Sequence, residues 1–221
     1  SSLMKDSNSG QIMKECGVMD PFNKKIGDWT NLRQFNLMFK THMGPTEESG
    51  SEIYMRPETA QGIFVNYLNV QSTARQKLPF GIAQIGKAFR NEITTGNFIF
   101  RTREFEQMEM EFFCHQDDTE KWLKHWSEER LSWFKKLGIN QDKLRLRAHG
   151  DDELAHYSSV CFDIEYQFDF GWSELEGIAD RGTYDLDQHI KYSNKKLTYF
   201  DAANNQHFVP AVVETSAGVD R

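Results

Sequence analysis

The sequence predicts an α+β fold, in which helices flank an antiparallel β-sheet and a helical insertion interrupts the strands. Three observations predict this class. Turn residues at 94–97 separate two strand-like runs, which is typical of a hairpin. Apolar and polar residues alternate over 162–170, as they do in a strand. Capping side chains at 117–119 begin a helical pattern that ends at Gly138.

The first half of the chain contributes a lead-in, a helix and the hairpin. Residues 1–30 are weakly patterned and predict a loop-rich lead-in. The apolar run at 34–39 predicts a strand. Pro57 is a good first residue for a helix, which the pattern carries to residue 76. Residues 80–92 and 98–114 predict the two long strands of the hairpin.

The second half adds a helical insertion at about 115–150 and three further strands. An aromatic stripe at helical spacing is more typical of packing than of a cofactor site, and it contains Trp122, Trp126, Trp133 and Leu137. The basic run at 143–147 predicts a solvated strand edge, with an RNA-facing strand as the alternative. The run at 162–170 predicts a half-buried strand, and 172–180 and 208–216 predict two more.

Composition indicates a globular protein without a broad basic surface. The 221 residues carry 26 Lys and Arg against 33 Asp and Glu, a formal net charge of −7. No apolar run approaches the roughly 20 residues that a membrane span requires, and residues 1–20 lack the apolar centre of a signal peptide. The cysteines, Cys16, Cys114 and Cys161, form no CxxC pair, which fits a reducing compartment. We therefore expect a cytoplasmic protein without membrane contact.

Several common nucleotide and metal motifs are absent from the sequence. It contains neither GxGxxG nor a P-loop signature, so a nucleotide would have to be held by side chains on a sheet. The histidines are scattered and show no HxxxH pair or Cys–His set, which argues against catalysis by zinc.

The segment 89–113 has the chemistry of a nucleotide site beside an amino-acid site. Arg90 and Arg101 flank its turn, and guanidinium groups bind phosphate oxygens in a bidentate manner. Phe105 offers a flat face for a base, and Glu109 offers negative charge for an ammonium group. Because strand side chains alternate, we expect a polar face in a cleft and methionines in a core. The polar face contains Phe105, Gln107, Glu109 and Glu111, and the other face contains Met108, Met110 and Phe112.

Four segments together resemble a known family. FRNE, the turn and FRTREFEQME resemble motif 2 of the class II aminoacyl-tRNA synthetases, in the form found in dimeric glycyl-tRNA synthetases. RPETAQGIF at 56–64 is similar to the family's glycine-site signature. Residues 170–186 resemble its ATP-side strand and loop, and 212–221 resemble the start of motif 3. The resemblance covers roughly 31–221 and implies the family's antiparallel catalytic fold.

The resemblance implies the catalytic core of a glycine–tRNA ligase. Such an enzyme activates glycine with ATP to glycyl-adenylate and pyrophosphate, and then transfers glycine to the 3′ end of tRNA(Gly). Its partners would be glycine, ATP with Mg²⁺ and tRNA(Gly), and the full-length enzyme would be a homodimer. Two alternatives stay open: a non-catalytic synthetase-like accessory protein, and an amino acid:AMP ligase that does not use tRNA. The retained paired arginines and glycine-site acids favour an enzyme.

For the nucleotide, the resemblance implies five side-chain roles. Arg90 would hold the α-phosphate and the attacking carboxylate, and Arg101 would reach the β- and γ-phosphates, which makes these two the catalytic candidates. Glu92 would accept the adenine amino group. Phe105 would stack on adenine, and Arg221 would cover the other face of the ring.

For Mg²⁺, the resemblance points to Glu174 as an ATP-side carboxylate, with Glu214 as an alternative. Glu176 is two residues away and is expected on the same strand face, so spacing separates it poorly from Glu174. A purely structural role for Glu174 would be an ion pair with Arg181.

For glycine, the resemblance implies an acidic pocket that binds the ammonium and leaves no room for a larger side chain. Its members would be Glu58, Glu109, Glu214 and Ser216. Glu214 and Ser216 are two apart on a predicted strand and so share a face. A purely structural role for Glu58 would be a carboxylate at a helix N-terminus, just after Pro57.

The family's motif 1 and anticodon-binding domain have no recognisable counterpart among the 221 residues. We therefore expect residues 1–221 to form a single, partial catalytic domain.

Overall fold

The computed structural model describes residues 8–31, 35–46, 49–150 and 160–221. The chain divides into two compact units, Ser1–Leu37 and Met38–Arg221. The predicted strand at 34–39 is wrong for its described residues, 35–39, which form no strand; the strand β1 (Lys40–His42) follows them and pairs with β2 (Glu52–Tyr54). In the part of the chain that is described, no helix has the length and apolarity needed to cross a membrane.

The first unit contains a helix where a loop is predicted, α1 (Ser9–Glu15). A glycine inside a short helix is unfavourable by propensity, which hides this element in the sequence. Gly10 is nevertheless required, because a Cβ there would lie 2.3 Å from the carbonyl oxygen of Trp29. The Gly10 amide donates a 3.0 Å hydrogen bond to Asn31 Oδ1, so contacts within this unit hold the helix in place.

The second unit is built on a six-stranded sheet in the order β3-β4-β10-β7-β6-β5, and every neighbouring pair is antiparallel. Its strands are β3 (Phe80–Phe89), β4 (Glu104–Cys114), β5 (Leu144–Ala148), β6 (Val160–Phe168), β7 (Gly171–Gly182) and β10 (Ala211–Gly218). A separate hairpin pairs β8 (Tyr199–Asp201) with β9 (Gln206–Phe208). The helices are α2 (Ala60–Thr73), α3 (Thr119–Lys136) and α4 (Tyr184–Ser193). The predicted α+β class with an antiparallel sheet is confirmed.

Apolar clusters cover both faces of this sheet. On one face, α2 and α4 pack on the strands through a cluster that includes Phe64, Tyr67, Phe80, Phe113, Leu186 and Val212. On the other face, α3 packs through a cluster that includes Phe112, Leu123, Phe134, Ile164, Leu175, Ile178 and Val213. The predicted aromatic stripe joins this second cluster through its three tryptophans, whereas Leu137 is exposed. The predicted strand at 162–170 forms as β6 with Ile164 buried, but its polar side is less exposed than in a half-buried strand, since Asp163 and Glu165 are also buried.

The two long strands of the predicted hairpin are confirmed, but the turn differs from the prediction. Strand β3 ends at Phe89 and β4 begins at Glu104, so the connection is longer than expected. Gly96 and Arg101 exchange backbone hydrogen bonds of 3.1 Å, which places the tight turn at 97–100 instead of 94–97. Asn97 and Phe98 have left-handed φ values of 53° and 56°. Phe98 is an unusual residue for that conformation, which is why its sequence does not indicate the turn.

Helix α2 starts later than predicted, at Ala60, with Thr59 as its N-cap residue. Pro57 and Glu58 precede the helix, so Glu58 is not a first-turn carboxylate. Helix α4 is not predicted at all, because it buries few apolar side chains, chiefly Leu186. Both helix starts lie beside the site described below, where their polar residues are used for contacts.

A β-bulge in β7 separates two glutamates that simple alternation places together. Glu165 pairs with Glu174 and Ile164 pairs with Glu176, so Leu175 is an extra residue in β7. Glu176 faces α3, where Arg130 donates two hydrogen bonds of 2.6 and 3.0 Å to it. The expectation that Glu174 and Glu176 share a face is therefore wrong.

The arginines of β5 are paired with acids on β6. Arg145 Nε lies 2.6 Å from a carboxylate oxygen of Glu165, and Arg147 Nη2 lies 3.1 Å from Asp163 Oδ2. Arg145 also lies over the ring of Trp172, with its Cζ 4.4 Å from the ring centroid. These contacts agree with the predicted strand edge more than with an RNA-facing strand.

Candidate active site

The nucleotide candidates all line one cleft, which has a volume of about 150 Å³. This set comprises Arg90, Glu92, Arg101, Phe105, Glu174 and Arg221. They come from the β3–β4 connection, from β4, from the bulged part of β7 and from the residues after β10. Gln107 and Ser216 also border the cleft, on neighbouring strands β4 and β10.

The β3–β4 connection holds the two predicted phosphate ligands through different contacts. Arg90 Nε donates a 3.1 Å hydrogen bond to the carbonyl of Pro57, and its Cζ lies 5.3 Å from the centroid of the Phe105 ring. Arg101 Nη1 donates a 3.2 Å hydrogen bond to Glu92. Each contact uses part of a guanidinium group that has five N–H donors, so donors remain for phosphate oxygens.

Arg221 closes the cleft from the end of β10. Its Nη1 donates a 2.9 Å hydrogen bond to the carbonyl of Glu174, and lies 3.6 Å from a carboxylate oxygen of the same residue. Its Cζ lies 4.3 Å from the centroid of the Phe100 ring, a cation–π contact. The alternative structural role of Glu174, an ion pair with Arg181, is not found among the described contacts, in which Glu174 contacts Arg221.

Glu109 lies next to Gln107 and Ser216, which border the cleft, and is only 1% exposed. The backbone N–H of Thr59 donates a 2.6 Å hydrogen bond to it, and the Thr59 hydroxyl donates another. Gln107 Nε2 donates at 2.6 Å and the Ser216 hydroxyl at 3.0 Å. The N-terminus of α2 thus covers a carboxylate that strand alternation places on an open face.

Arg181 stands at the centre of a second group of acids and is 2% exposed. It donates hydrogen bonds of 2.7 and 2.9 Å to Asp185, one turn along at the start of α4. It also forms an ion pair with Glu214, and its Nη2 lies 3.7 Å from Glu58. Glu58 in turn accepts a 2.8 Å hydrogen bond from Gln61 of α2.

The two groups join into one buried cluster that holds more acid than base. The described residues of this acidic cluster are Arg181 and the carboxylates of Glu58, Glu109, Glu111, Asp185 and Glu214. Burial raises the pKa of Glu109, and the hydrogen bonds from Thr59 lower it only in part. Burial, together with Glu109 and Glu58, raises the pKa of Glu214 to about 7 against the lowering effect of Arg181.

Glu111 is the most deeply placed member of the acidic cluster. It is 0% exposed, and among the described residues neither carboxylate oxygen has a hydrogen-bond partner. Burial and the charge of Glu214 raise its pKa well above the ordinary value. The cluster thus has a negative potential that Arg181 does not fully offset, and a further cation would be stabilised there.

The structure therefore brings the predicted glycine candidates together, partly through residues that the sequence does not single out. Gln107 is on the predicted polar face of β4, whereas Thr59 and Asp185 are not predicted. The sequence indicates Arg181 only as a partner of Glu174. A signal for Arg181 and Asp185 does exist, since they are four residues apart and opposite in charge. The fold that makes them neighbours of β10 is not encoded in that spacing.

Comparison with known proteins agrees with this fold. The profile described as "tRNA synthetase class II core domain (G, H, P, S and T)" matches residues 39–221. A glycine–tRNA ligase of Geobacillus thermodenitrificans is 59% identical over 207 residues, which cover 94% of this chain and 43% of that protein. One of Ruminiclostridium cellulolyticum is 53% identical over 218 residues, covering 99% of this chain and 47% of that protein.

The chain thus spans about half the length of the curated relatives it matches. The profile match includes every strand of the six-stranded sheet and every residue of the cleft and the acidic cluster. By this match and this fold, the chain belongs to the family of the class II tRNA synthetase core domain.

Proposed function

We propose that this chain is the catalytic core of a glycine–tRNA ligase. One observation carries the proposal: Gln107 and Ser216 line the phosphate-sized cleft and also hydrogen-bond to Glu109 of the acidic cluster. Strands β4 and β10 therefore place two sites next to each other: a nucleotide cleft bordered by arginines, and a buried anionic pocket for an ammonium group. The identities of 53–59% to glycine–tRNA ligases support the same amino acid.

In the proposed first step, an oxygen of the glycine carboxylate attacks the α-phosphorus of ATP and the bond to pyrophosphate breaks. Arg90 binds both the carboxylate and the α-phosphate, which brings two anions together and stabilises the charge of the transition state. Arg101 binds the β- and γ-phosphates. Phe105 stacks on adenine and Arg221 covers the opposite face of the ring, while Glu92 accepts a hydrogen bond from the adenine amino group. In the second step, a hydroxyl of the terminal tRNA ribose attacks the glycyl carbonyl and AMP leaves.

Glu174 would hold Mg²⁺ in this cleft. Its carboxylate is a hard oxygen donor that borders the cleft and is about half exposed, so the donor fits a cation that takes carboxylate and phosphate oxygens. When bound, Mg²⁺ would reduce the negative charge of the phosphates. Glu214, the alternative ligand, is already paired with Arg181, and Glu176 faces α3.

Glycine selectivity would come from the acidic cluster. The ammonium group binds next to Glu109, with Glu58 and Glu214 supplying further negative charge and Ser216 forming part of the wall. A pocket closed on the α-carbon rejects every larger amino acid by steric exclusion, and no smaller amino acid exists to compete. The resemblance further suggests a homodimer in the cytoplasm as the working form, and both are parts of the proposal that sedimentation and fractionation can test.

The direct test is amino-acid-dependent exchange of pyrophosphate into ATP, measured with each of the twenty amino acids. We would use this chain and a chimaera in which its residues replace the matching part of the Geobacillus relative, so that the test does not depend on the fragment alone. Glycine alone should support exchange, and the chimaera should charge tRNA(Gly). An active chimaera that cannot charge tRNA would favour the tRNA-independent ligase. No exchange in either protein would contradict the proposal.

Replacing Glu109 by glutamine should weaken glycine use and leave ATP binding nearly unchanged. The amide keeps the shape of the carboxylate but removes a charge, and a hydrogen bond to a charged group contributes about 1.5–3 kcal/mol. The KM for glycine in the exchange assay should therefore rise about ten- to hundredfold. Glu104→Gln is the matched control, since Glu104 lies on the same strand but is exposed and paired with Lys87. If Glu109→Gln raised the KM for ATP instead, the carboxylate would belong to the nucleotide site.

A further inference from the structure

The hairpin of β5 and β6 brings three metal-ligating side chains together at one end. The backbone N–H of His149 donates a 3.0 Å hydrogen bond to the carbonyl of Cys161, which extends the ladder one step beyond the pairing of Ala148 with Phe162. Cys161 and Asp163 are two apart on β6 and so share a face. This face is opposite to α3, because the intervening Phe162 packs on the α3 side.

The side-chain donor atoms of His149, Cys161 and Asp163 all lie within 4.8 Å of one another. His149 Nε2 lies 2.7 Å from Asp163 Oδ2, yet among the described residues this buried nitrogen has no partner in hydrogen-bond geometry. The His149 side chain is 18% exposed and Cys161 is a partly buried free thiol. Three different metal-ligating atoms therefore lie close together, and the imidazole nitrogen remains available to a metal ion.

The donor set is the one that zinc prefers, an imidazole nitrogen, a thiolate sulfur and a carboxylate oxygen. Four-coordinate zinc with bonds of about 2.0–2.3 Å separates neighbouring ligand atoms by roughly 3.3–3.8 Å. The largest separation in the cluster exceeds that by only about 1 Å, which side-chain rotation can remove. We propose that His149, Cys161 and Asp163 form a zinc-binding site, with water in the fourth position.

One neighbouring cation competes with this site and can be accommodated. Arg147 Nη2 lies 3.1 Å from Asp163 Oδ2, while Arg147 Nε lies 3.0 Å from Glu165 Oε1. If Asp163 binds zinc and loses its contact with Arg147, Arg147 therefore keeps its ion pair with Glu165. Zinc must also displace the thiol proton of Cys161, as it does at every cysteine ligand.

None of the three residues of the proposed zinc site lines the nucleotide cleft. His149 and Cys161 flank residues 150–160, and a metal bound to both would tie the two ends of that segment together. The sequence shows no such set, because the three side chains come from two strands that only the fold aligns. The role inferred for zinc is structural, and it does not enter the chemistry proposed above.

The first experiment measures bound metal after extensive dialysis, in this chain and in the chimaera, by mass spectrometry. We expect close to one zinc per chain, and replacement of zinc by Co²⁺ should give a thiolate-to-cobalt charge-transfer band. Cys161→Ser should abolish the band and lower zinc affinity more than about a hundredfold, because even the loss of an outer-shell partner costs 10- to 100-fold. Cys114→Ser, at a buried thiol elsewhere, and His125→Gln, at an exposed histidine, should change neither result.

Two outcomes would overturn the proposal. One is zinc content well below one per chain with no cobalt band in either wild-type protein. The other is a band that survives in Cys161→Ser, because the sulfur ligand would then lie elsewhere. If Cys161→Ser does not fold, the cobalt band of the wild-type protein still reports the sulfur ligand directly. Asp163→Asn then tests the site independently, and it should lower the zinc affinity. Loss of zinc should leave the glycine specificity of pyrophosphate exchange intact, so this test and that of the proposed function fail separately.

Discussion

Replacing Arg90 by alanine should lower kcat/KM for glycine activation about a hundredfold or more. The guanidinium group is oriented at the cleft by the Pro57 carbonyl and the Phe105 ring, and it is proposed to bind both reacting anions. Removing one preorganised donor to a charged transition state costs about 2.7–4 kcal/mol, and each 1.36 kcal/mol is tenfold in rate. Steady-state exchange of pyrophosphate in the chimaera measures this effect directly.

Lysine at position 90 should recover only part of the loss, because an ammonium group keeps the charge but not the bidentate fork. Arg75→Ala serves as the matched control, since Arg75 is an exposed arginine just after α2 and outside the cleft. If the activity of Arg90→Ala were close to that of the control, the proposal that the arginines of the β3–β4 hairpin bind the phosphates would be wrong.

Replacing Arg181 by methionine should cost about 3–5 kcal/mol in the free energy of unfolding at pH 8. Removal of one partner from a buried ion pair leaves an uncompensated charge, and here Asp185, Glu214 and Glu58 all lose their cation. The loss should shrink as pH falls. A buried carboxyl with a raised pKa binds its proton more tightly in the folded state, so its stabilising effect is present below the unfolded pKa and is lost as pH rises through the folded pKa.

For Glu214 that window runs from the ordinary value of 4.5 to about 7 in the wild type, and it extends further upward once Arg181 is gone. Urea unfolding of both proteins at pH 8 and pH 5.5 should show the variant recovering part of its stability at the lower pH. Arg130→Met is the control, because Arg130 pairs with one buried glutamate, Glu176, instead of several acids. A penalty for Arg181→Met that is no larger than the control's and that does not depend on pH would mean that the cluster is not held by this arginine.

The elements that the sequence predicts correctly are those whose signals are local. The strands of the hairpin, β6 and α3 follow from period and capping within a few residues. Helices α1 and α4 escape prediction because one contains Gly10 and the other buries little besides Leu186. Their stability comes from contacts with distant residues, which periodicity does not report.

The same limit applies to the candidate site. Family motifs predict which residues meet in the cleft, because each motif gives the residue types expected at fixed positions in the sequence. They do not predict that Glu109 is 1% exposed and that Glu111 is 0% exposed. Alternation distinguishes the two faces of a strand, but it cannot tell that both faces of this sheet are covered. Arg181 becomes the centre of the acidic cluster only when β7 and β10 pair.

The extra residue at Leu175 has a consequence for anyone who aligns or edits this strand. It shifts the frame in which side chains are assigned to the two faces, so Glu174 faces the cleft while Glu176 faces Arg130. An alignment that places a one-residue gap on the wrong side of 175 transfers the label "metal ligand" to a residue with a purely structural partner. Deleting Leu175 in an engineered variant would make Glu174 and Glu176 neighbours in the sequence, so strict alternation would keep Glu174 on the cleft side and Glu176 on the side of Arg130.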